Sequence, residues 1–261
     1  MAIGLASVAL VAALASCSDD TNPPDGEFGK ESGALSKAEL QNYCSKVLDV
    51  ETFAFPQIGD LPEADRPGRL IEYARELRLL VNEAAGAAPS KSEADLRTVA
   101  AALVEVVKAN GDLTKRGTPA VRAATARAHA FDLANCGWKP VDTTSVDFAF
   151  QGLPETITAG IVSFELTNKG DFDHVLELYR VKDDATSGRE ILSSGAPTKD
   201  DLAKLADLGS AFAREGEQGH VVRKLQPGRY VAACLIPLNS NPPSTHASRG
   251  MLTEFSVTSP G

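Results

Sequence analysis

Cys234, His246 and Met251 follow one another in the stretch CLIPLNSNPPSTHASRGM, and Met251 is one of only two methionines, the other being the initiator. A thiol, an imidazole and a thioether in that order are a set of soft and borderline metal donors. A fourth donor comes from a strand-like segment further upstream, HVLELYR, where His174 shares one face with Leu176 and Leu178 under period-two alternation. The same parity puts Cys234 with Tyr230 and Ala232 in GRYVAAC, and Met251 with Thr253, Phe255 and Val257 in MLTEFSV. If the apolar members look into a core, His174, Cys234 and Met251 look inward at strand ends, with His246 on the loop between. Two imidazoles, a thiolate and a weak thioether suit a trigonal copper site with a long axial bond, able to pass between Cu(I) and Cu(II). Taken singly, each residue also has a plainer reading: a small buried thiol, a gap-filling Met, a core His and an exposed loop His.

Strands must position these donors, and the sequence after Pro140 supplies them. VDFAFQG, GIVSFELTN, HVLELYRV, GHVVRKL, GRYVAACLI and MLTEFSV read as short strands, separated by turn signals such as Asn168-Lys-Gly170 and Pro227-Gly228. Short strands without alternating long helices predict an antiparallel sandwich or barrel. An insertion over about 183–219 contains TKDDLAKLADL, which reads as a short helix. Ahead of Pro140 the pattern is helical. LIEYARELRLLVNEAA, LRTVAAALVEVVKA and VRAATARAHAFDLAN carry apolar residues at spacings of three and four. Ser36–Glu39 and Ser90–Glu93 have the form of capping boxes. Thr118-Pro119 supplies an N-cap and a first-turn proline, and Gly137 a C-terminal stop. This half predicts a small bundle of about four helices. The fold class is thus α+β: a tether over 17–36, a helical bundle over 37–139 and a β-sandwich over 140–261.

The N-terminus, MAIGLASVALVAALASC, is too short an apolar run for a membrane span. It resembles a bacterial lipoprotein signal, residues 1–16, with Leu14-Ala15-Ser16-Cys17 as the lipobox; no Lys or Arg precedes the run. The resemblance implies that Cys17 becomes the lipidated first residue of a chain anchored on the outer face of the cell membrane. Residues 18–36 are polar and rich in Gly, Pro and Ser, as a flexible tether would be. In an oxidising compartment Cys44 and Cys136 can pair across the helical half, the alternative being two buried free thiols. Cys234 is then left without a partner, which favours deep burial or a bound ion.

From these residues the C-terminal half resembles a cupredoxin, the blue-copper Greek-key sandwich. In that family a His opens a strand after an Asn-containing turn, as in NKGDFDH, and the later ligands follow a Gly-x-Tyr-x-x-x-Cys strand, as in GRYVAAC then THASRGM. The resemblance implies one type 1 copper held by His174, Cys234, His246 and axial Met251, with Asn168 steadying the ligand loops. It implies an electron carrier or copper-handling protein with a redox or cell-envelope partner, and a metal-free interaction module as the alternative. A copper enzyme is disfavoured, because four protein ligands leave no open position. More loosely, the whole chain is similar to secreted or lipid-anchored actinobacterial proteins with a helical segment ahead of such a domain. Eleven residues separate Cys234 from His246, and Pro237, Pro242 and Pro243 stiffen that loop.

Composition narrows the classes further. At 261 residues, 43% hydrophobic and 23% charged, the chain is an ordinary globular one, and its net charge of −9 without a basic run speaks against nucleic acid. Phosphate loops, nucleophile elbows and Cys-x-x-Cys pairs are absent from the sequence. His129 and Asp132 fall three apart on the last helix, where they can share a face and touch a metal, but no second carboxylate pair accompanies them and they read as surface or interdomain hydrogen-bonding groups. His220 opens a strand with no partner in view.

Overall fold

The computed structural model describes residues 35–183, 186–194, 197–238 and 244–261. Cys17, the leader and nearly all of the tether lie outside them. The described residues belong to one compact unit, built of N-terminal helices and a β region.

Four helices come first: α1 (Lys37–Thr52), α2 (Arg66–Ala87), α3 (Ser90–Lys108) and α4 (Pro119–Asn135). The Ser36 hydroxyl accepts from the Glu39 amide while the Glu39 carboxylate accepts from the Ser36 amide, so the first capping box forms. The second does not. Pro89 takes the extended N-cap position and Ser90 is already helical, which shifts the start by one residue. Thr118 caps α4 through the Val121 amide, and Gly137 beyond its end takes a positive φ of 69°. Tyr43, Val47, Ala74, Leu77, Val81 and Leu103 fill the core between these helices. Cys44 of α1 and Cys136 at the end of α4 are disulfide-bonded across a sequence separation of 92.

The strands follow: β1 (Lys139–Val146), β2 (Ala149–Gln151), β3 (Thr156–Thr158), β4 (Gly160–Asn168), β5 (His174–Val181), two short helices α5 (Gly188–Ser193) and α6 (Lys199–Ala203), then β6 (Leu205–Ala213), β7 (Gln218–Leu225), β8 (Gly228–Ala233), β9 (Pro237–Leu238), β10 (Ser244–Thr245) and β11 (Leu252–Thr258). They form a sheet of order β2-β1-β4-β7, a second of order β3-β11-β8-β5-β6 and a small β9–β10 ladder. The arrangement is mixed rather than purely antiparallel, since β1 pairs with β4 and β3 with β11 in parallel. The helix read into TKDDLAKLADL stops at Ala203. From Leu205 the chain pairs with β5 as an edge strand, because that pairing buries Ala211 and Ala213.

The two sheets pack face to face over Val162, Phe164, Leu166, Leu176, Leu178 and Phe255. Period-two alternation then fixes what the outer faces show. On β4 and β7, Ile161, Ser163, Glu165, His220 and Val222 turn away from the sandwich core, and Ile161 and Val222 pack into the helical core. On the second sheet, Val181, Val231 and Ala233 turn outward and are covered by Ile191 and Leu192 of α5. The layers therefore run helices, sheet, sheet, short helix.

Candidate metal centre

The four sequence-predicted donors come from three places. His174 opens β5, Cys234 follows β8 directly, and His246 and Met251 flank the turn that leads into β11. His174, Cys234 and Met251 are fully buried and His246 nearly so. His174 Nδ1 lies 3.2 Å from His246 Nδ1, which lies 3.5 Å from Cys234 Sγ, and one ligand atom from each lies within 4.8 Å of the other two. Ligands sharing one ion at 120°, with bonds of about 2.0 Å to nitrogen and 2.3 Å to sulfur, stand roughly 3.5 Å (N to N) and 3.7 Å (N to S) apart. The observed spacings fit such an ion. Met251 joins Cys234 and Val175 in one buried apolar cluster beside them.

The backbone fastens the ligand loop at both ends. The Cys234 amide donates to the Met251 carbonyl (3.0 Å) and the Ala247 amide to the Cys234 carbonyl (2.8 Å). The His246 amide donates to Ile236 and the Met251 amide to His246, each at 3.1 Å. Gly250 makes the reversal at φ 110°, a conformation that glycine adopts readily. The long Cys-to-His connection therefore does not loosen the donors, whose positions are set where it begins and ends.

Asn168 supports the His174 side. Its amide group donates to the Phe172 carbonyl (2.7 Å) and the Ala213 carbonyl (3.1 Å), and its oxygen accepts from Ser145 and from the Gly170 amide. Ala213 is the register partner of His174, so one buried side chain ties β1, β6 and the 168–174 turn to the donor. Nε2 of His174 is 3.4 Å from Asp147 Oδ1, near enough for attraction yet not aligned as a hydrogen bond. That contact favours the proton on Nε2 and leaves Nδ1 as a lone pair toward the other donors. Phe148, at a positive φ of 63°, presents its ring to His246 edge-on at 5.3 Å, and Phe172 does so at 5.9 Å.

Burial pushes the Cys234 thiol up, against amide donation from Val175 and Ile236. Burial also holds His174 down, against Asp147, and holds His246 down together with the neighbouring His174. Without an ion the three donors are thus neutral near pH 7, and an arriving ion must displace the thiol proton. Outside the centre, a shallow cavity of about 370 Å³ is lined by Phe172, Asp173, Ile236, Pro237, Leu238 and His246.

One sequence reading changes here, and the hydrogen-bonding reading of His129 and Asp132 gains its partners. His220 is not alone, because its Nε2 lies 3.6 Å from Glu51 Oε1 and its ring stacks on His129. Asp132 accepts a 2.5 Å hydrogen bond from the Tyr43 hydroxyl, while His129 turns to Glu165 instead. Spacing within the last helix gave no signal for partners that lie on another helix and another sheet.

No family model and no curated protein matches this chain. Solved structures align with part of it. Auracyanin B is 22% identical, over 46% of this chain and 88% of its own, at a TM-score of 0.34. Auracyanin A, a "blue" copper protein from the green thermophilic photosynthetic bacterium Chloroflexus aurantiacus, is 16% identical over 47% and 100%, at 0.33. Dithionite-reduced auracyanin from the photosynthetic bacterium Roseiflexus castenholzii is 16% identical over 46% and 97%, at 0.31. At these values the likeness is one of partial chain shape, and the chemistry of the centre is read from its own donors.

Proposed function

We propose that the β region is a cupredoxin-like domain that binds one type 1 copper through His174, Cys234 and His246, with Met251 as axial ligand, for electron transfer or copper handling. The convergence of two imidazole nitrogens on a buried thiol, at spacings that fit a shared ion, carries this reading. When bound, copper passes between Cu(I) and Cu(II) and so carries one electron. The chain's own part is to hold the donors in place before the ion arrives, keep water off Cys234, and limit rearrangement between the two oxidation states. His246 is the donor that borders the shallow cavity, so an electron would enter or leave on that side. An electron carrier fits better than a copper enzyme, because four protein donors, three of them fully buried, leave no open position on the ion for a substrate. The same proposal places the protein on the outer face of the membrane, held by a lipid on Cys17. The Leu14-Ala15-Ser16-Cys17 tetrad supports that placement, and mass spectrometry of Cys17 tests it.

Adding Cu(II) to the purified full chain should give an intense visible thiolate-to-copper absorption. Cys234→Ala should abolish it, and Met251→Leu should keep copper while shifting the potential. A colourless protein that retains no copper on dialysis sinks the copper reading and leaves the metal-free interaction module in its place.

A further inference from the structure

A two-residue turn, Asp147-Phe148, joins β1 to β2, since Val146 pairs directly with Ala149. Both of its residues reach the candidate copper centre. Asp147 places Oδ1 3.4 Å from Nε2 of His174, and the Phe148 ring makes a T-shaped contact with His246, centroids 5.3 Å apart. Asp147 is held where it stands. Its Oδ1 accepts from the Asp171 amide (3.0 Å), and the Lys169 amide donates to the Ser145 carbonyl (2.9 Å), so the 168–174 turn is laced to the end of β1. Phe148 takes a left-handed φ of 63°, which a bulky side chain seldom adopts and which hairpin turns usually give to Gly, Asn or Asp. Backbone strain of this kind persists only where the surroundings hold it, and it collects at functional sites.

Nε2 of His174 belongs to a fully buried residue and makes no hydrogen bond. A buried ring nitrogen in that state is costly, and attraction to the Asp147 carboxylate offsets part of the cost. The attraction grows when Nδ1 binds a cation, because the Nε2–H bond then becomes more polar. A carboxylate behind a ligand imidazole also makes the ring a stronger donor to its metal. A neutral carbonyl in the same place would orient the ring without adding charge. The negative charge favours the more highly charged ion, Cu(II) over Cu(I), and burial of the ring between them limits screening by water. We infer that Asp147 is a positioning residue that acts through His174 to lower the potential of the bound copper, with Phe148 keeping the turn on both rings. The inference deepens the copper reading and rests on it.

The test uses the full chain, first without copper and then with it. In the copper-free protein, nitrogen-15 spectra of the imidazoles should place the His174 proton on Nε2. Asp147→Asn keeps an oxygen for the Asp171 amide and removes the charge. It should lower the ratio of Cu(II) to Cu(I) affinity by about tenfold, which is a rise in potential of about 59 mV for one electron. The urea midpoint of the copper-free variant should stay at the wild-type value. Asp171→Asn removes the same charge from an exposed position in the facing turn and should move the potential much less. A wild-type chain that binds no copper overturns this inference and the copper reading together. Copper held normally, with a potential that Asp147→Asn leaves unchanged or shifts no more than Asp171→Asn does, overturns the inference alone. A His174 proton on Nδ1 does the same. If Asp147→Asn does not fold, the position of that proton decides.

Discussion

Gly170 carries no donor, yet the copper reading leans on it. A Cβ there would sit 2.4 Å from Asp147 Oδ1 and 2.7 Å from Nε2 of His174. Nothing in the turn can give way without moving the first donor, because the Gly170 amide is bonded to Asn168 and the Asp171 amide to Asp147. Gly170→Ala should therefore destabilise the fold by about 1–3 kcal/mol, as overpacking of a filled site does. It should also weaken copper binding, read by urea unfolding and by copper titration. An unchanged unfolding midpoint would mean that the turn is softer than its contacts indicate. Asn168 acts from the other side of the same turn. It places all four of its hydrogen bonds on groups that hold the 168–174 segment against β1 and β6.

Between elements, a covalent link and a buried hydrogen bond both tie α1 to α4. The first is the disulfide at Cys44 and Cys136. Replacing both by serine should cost about 2–4 kcal/mol, while the visible copper absorption persists, since the donors stand on other elements; denaturant titration with and without copper measures both. The second is the hydrogen bond from Tyr43 to Asp132. Burial pushes the Asp132 carboxyl up to about 7, against the Tyr43 hydrogen bond and together with Glu51. Its ordinary value is 3.8, so the folded chain keeps a proton that the unfolded chain loses. The stability from that proton is complete below pH 3.8 and is lost as pH rises toward 7. Asp132→Asn keeps a hydrogen-bonding group without the charge, so it should stabilise the protein more at pH 8 than at pH 5. Urea midpoints at the two pH values check this, and an equal effect at both would rule out ionisation as the cause.

At the level of the whole molecule, the helices are a fourth layer over the sandwich. Val222 and Ile161 pack into the helical core, and Ser163, Glu165 and His220 face the helices instead of water. The β region expressed alone as residues 140–261 would expose that face, at roughly 1.5–3 kcal/mol for a fully buried aliphatic side chain such as Val222. Its thermal midpoint should fall below that of the full chain, and equal midpoints would show that the helical layer adds no stability. The same layering gives the molecule two different buried polar clusters. One lies at the strand ends and is rich in sulfur; the other lies under the helices and is made of imidazole and carboxylate.

Local physics makes much of this legible in the sequence alone. A capping box, a threonine cap and a first-turn proline act within a few residues, so α1 and α4 could be read from their own starts. Two-residue alternation placed His174, Cys234 and Met251 on faces whose apolar members are buried here. His246 carried no such signal, because a loop residue is buried only by what folds over it, here Phe148 and Phe172. The edge strand β6 was hidden for a related reason: Leu205–Ala213 is extended because β5 pairs with it, whatever its local pattern favours. The parallel pairing of β1 with β4 also depends on chain crossing and not on local pattern. The meeting of Glu51, His129, Glu165 and His220 required knowing which sheet face the helices cover. Sequence spacing encodes the faces of one element, and only the packed fold decides which faces meet.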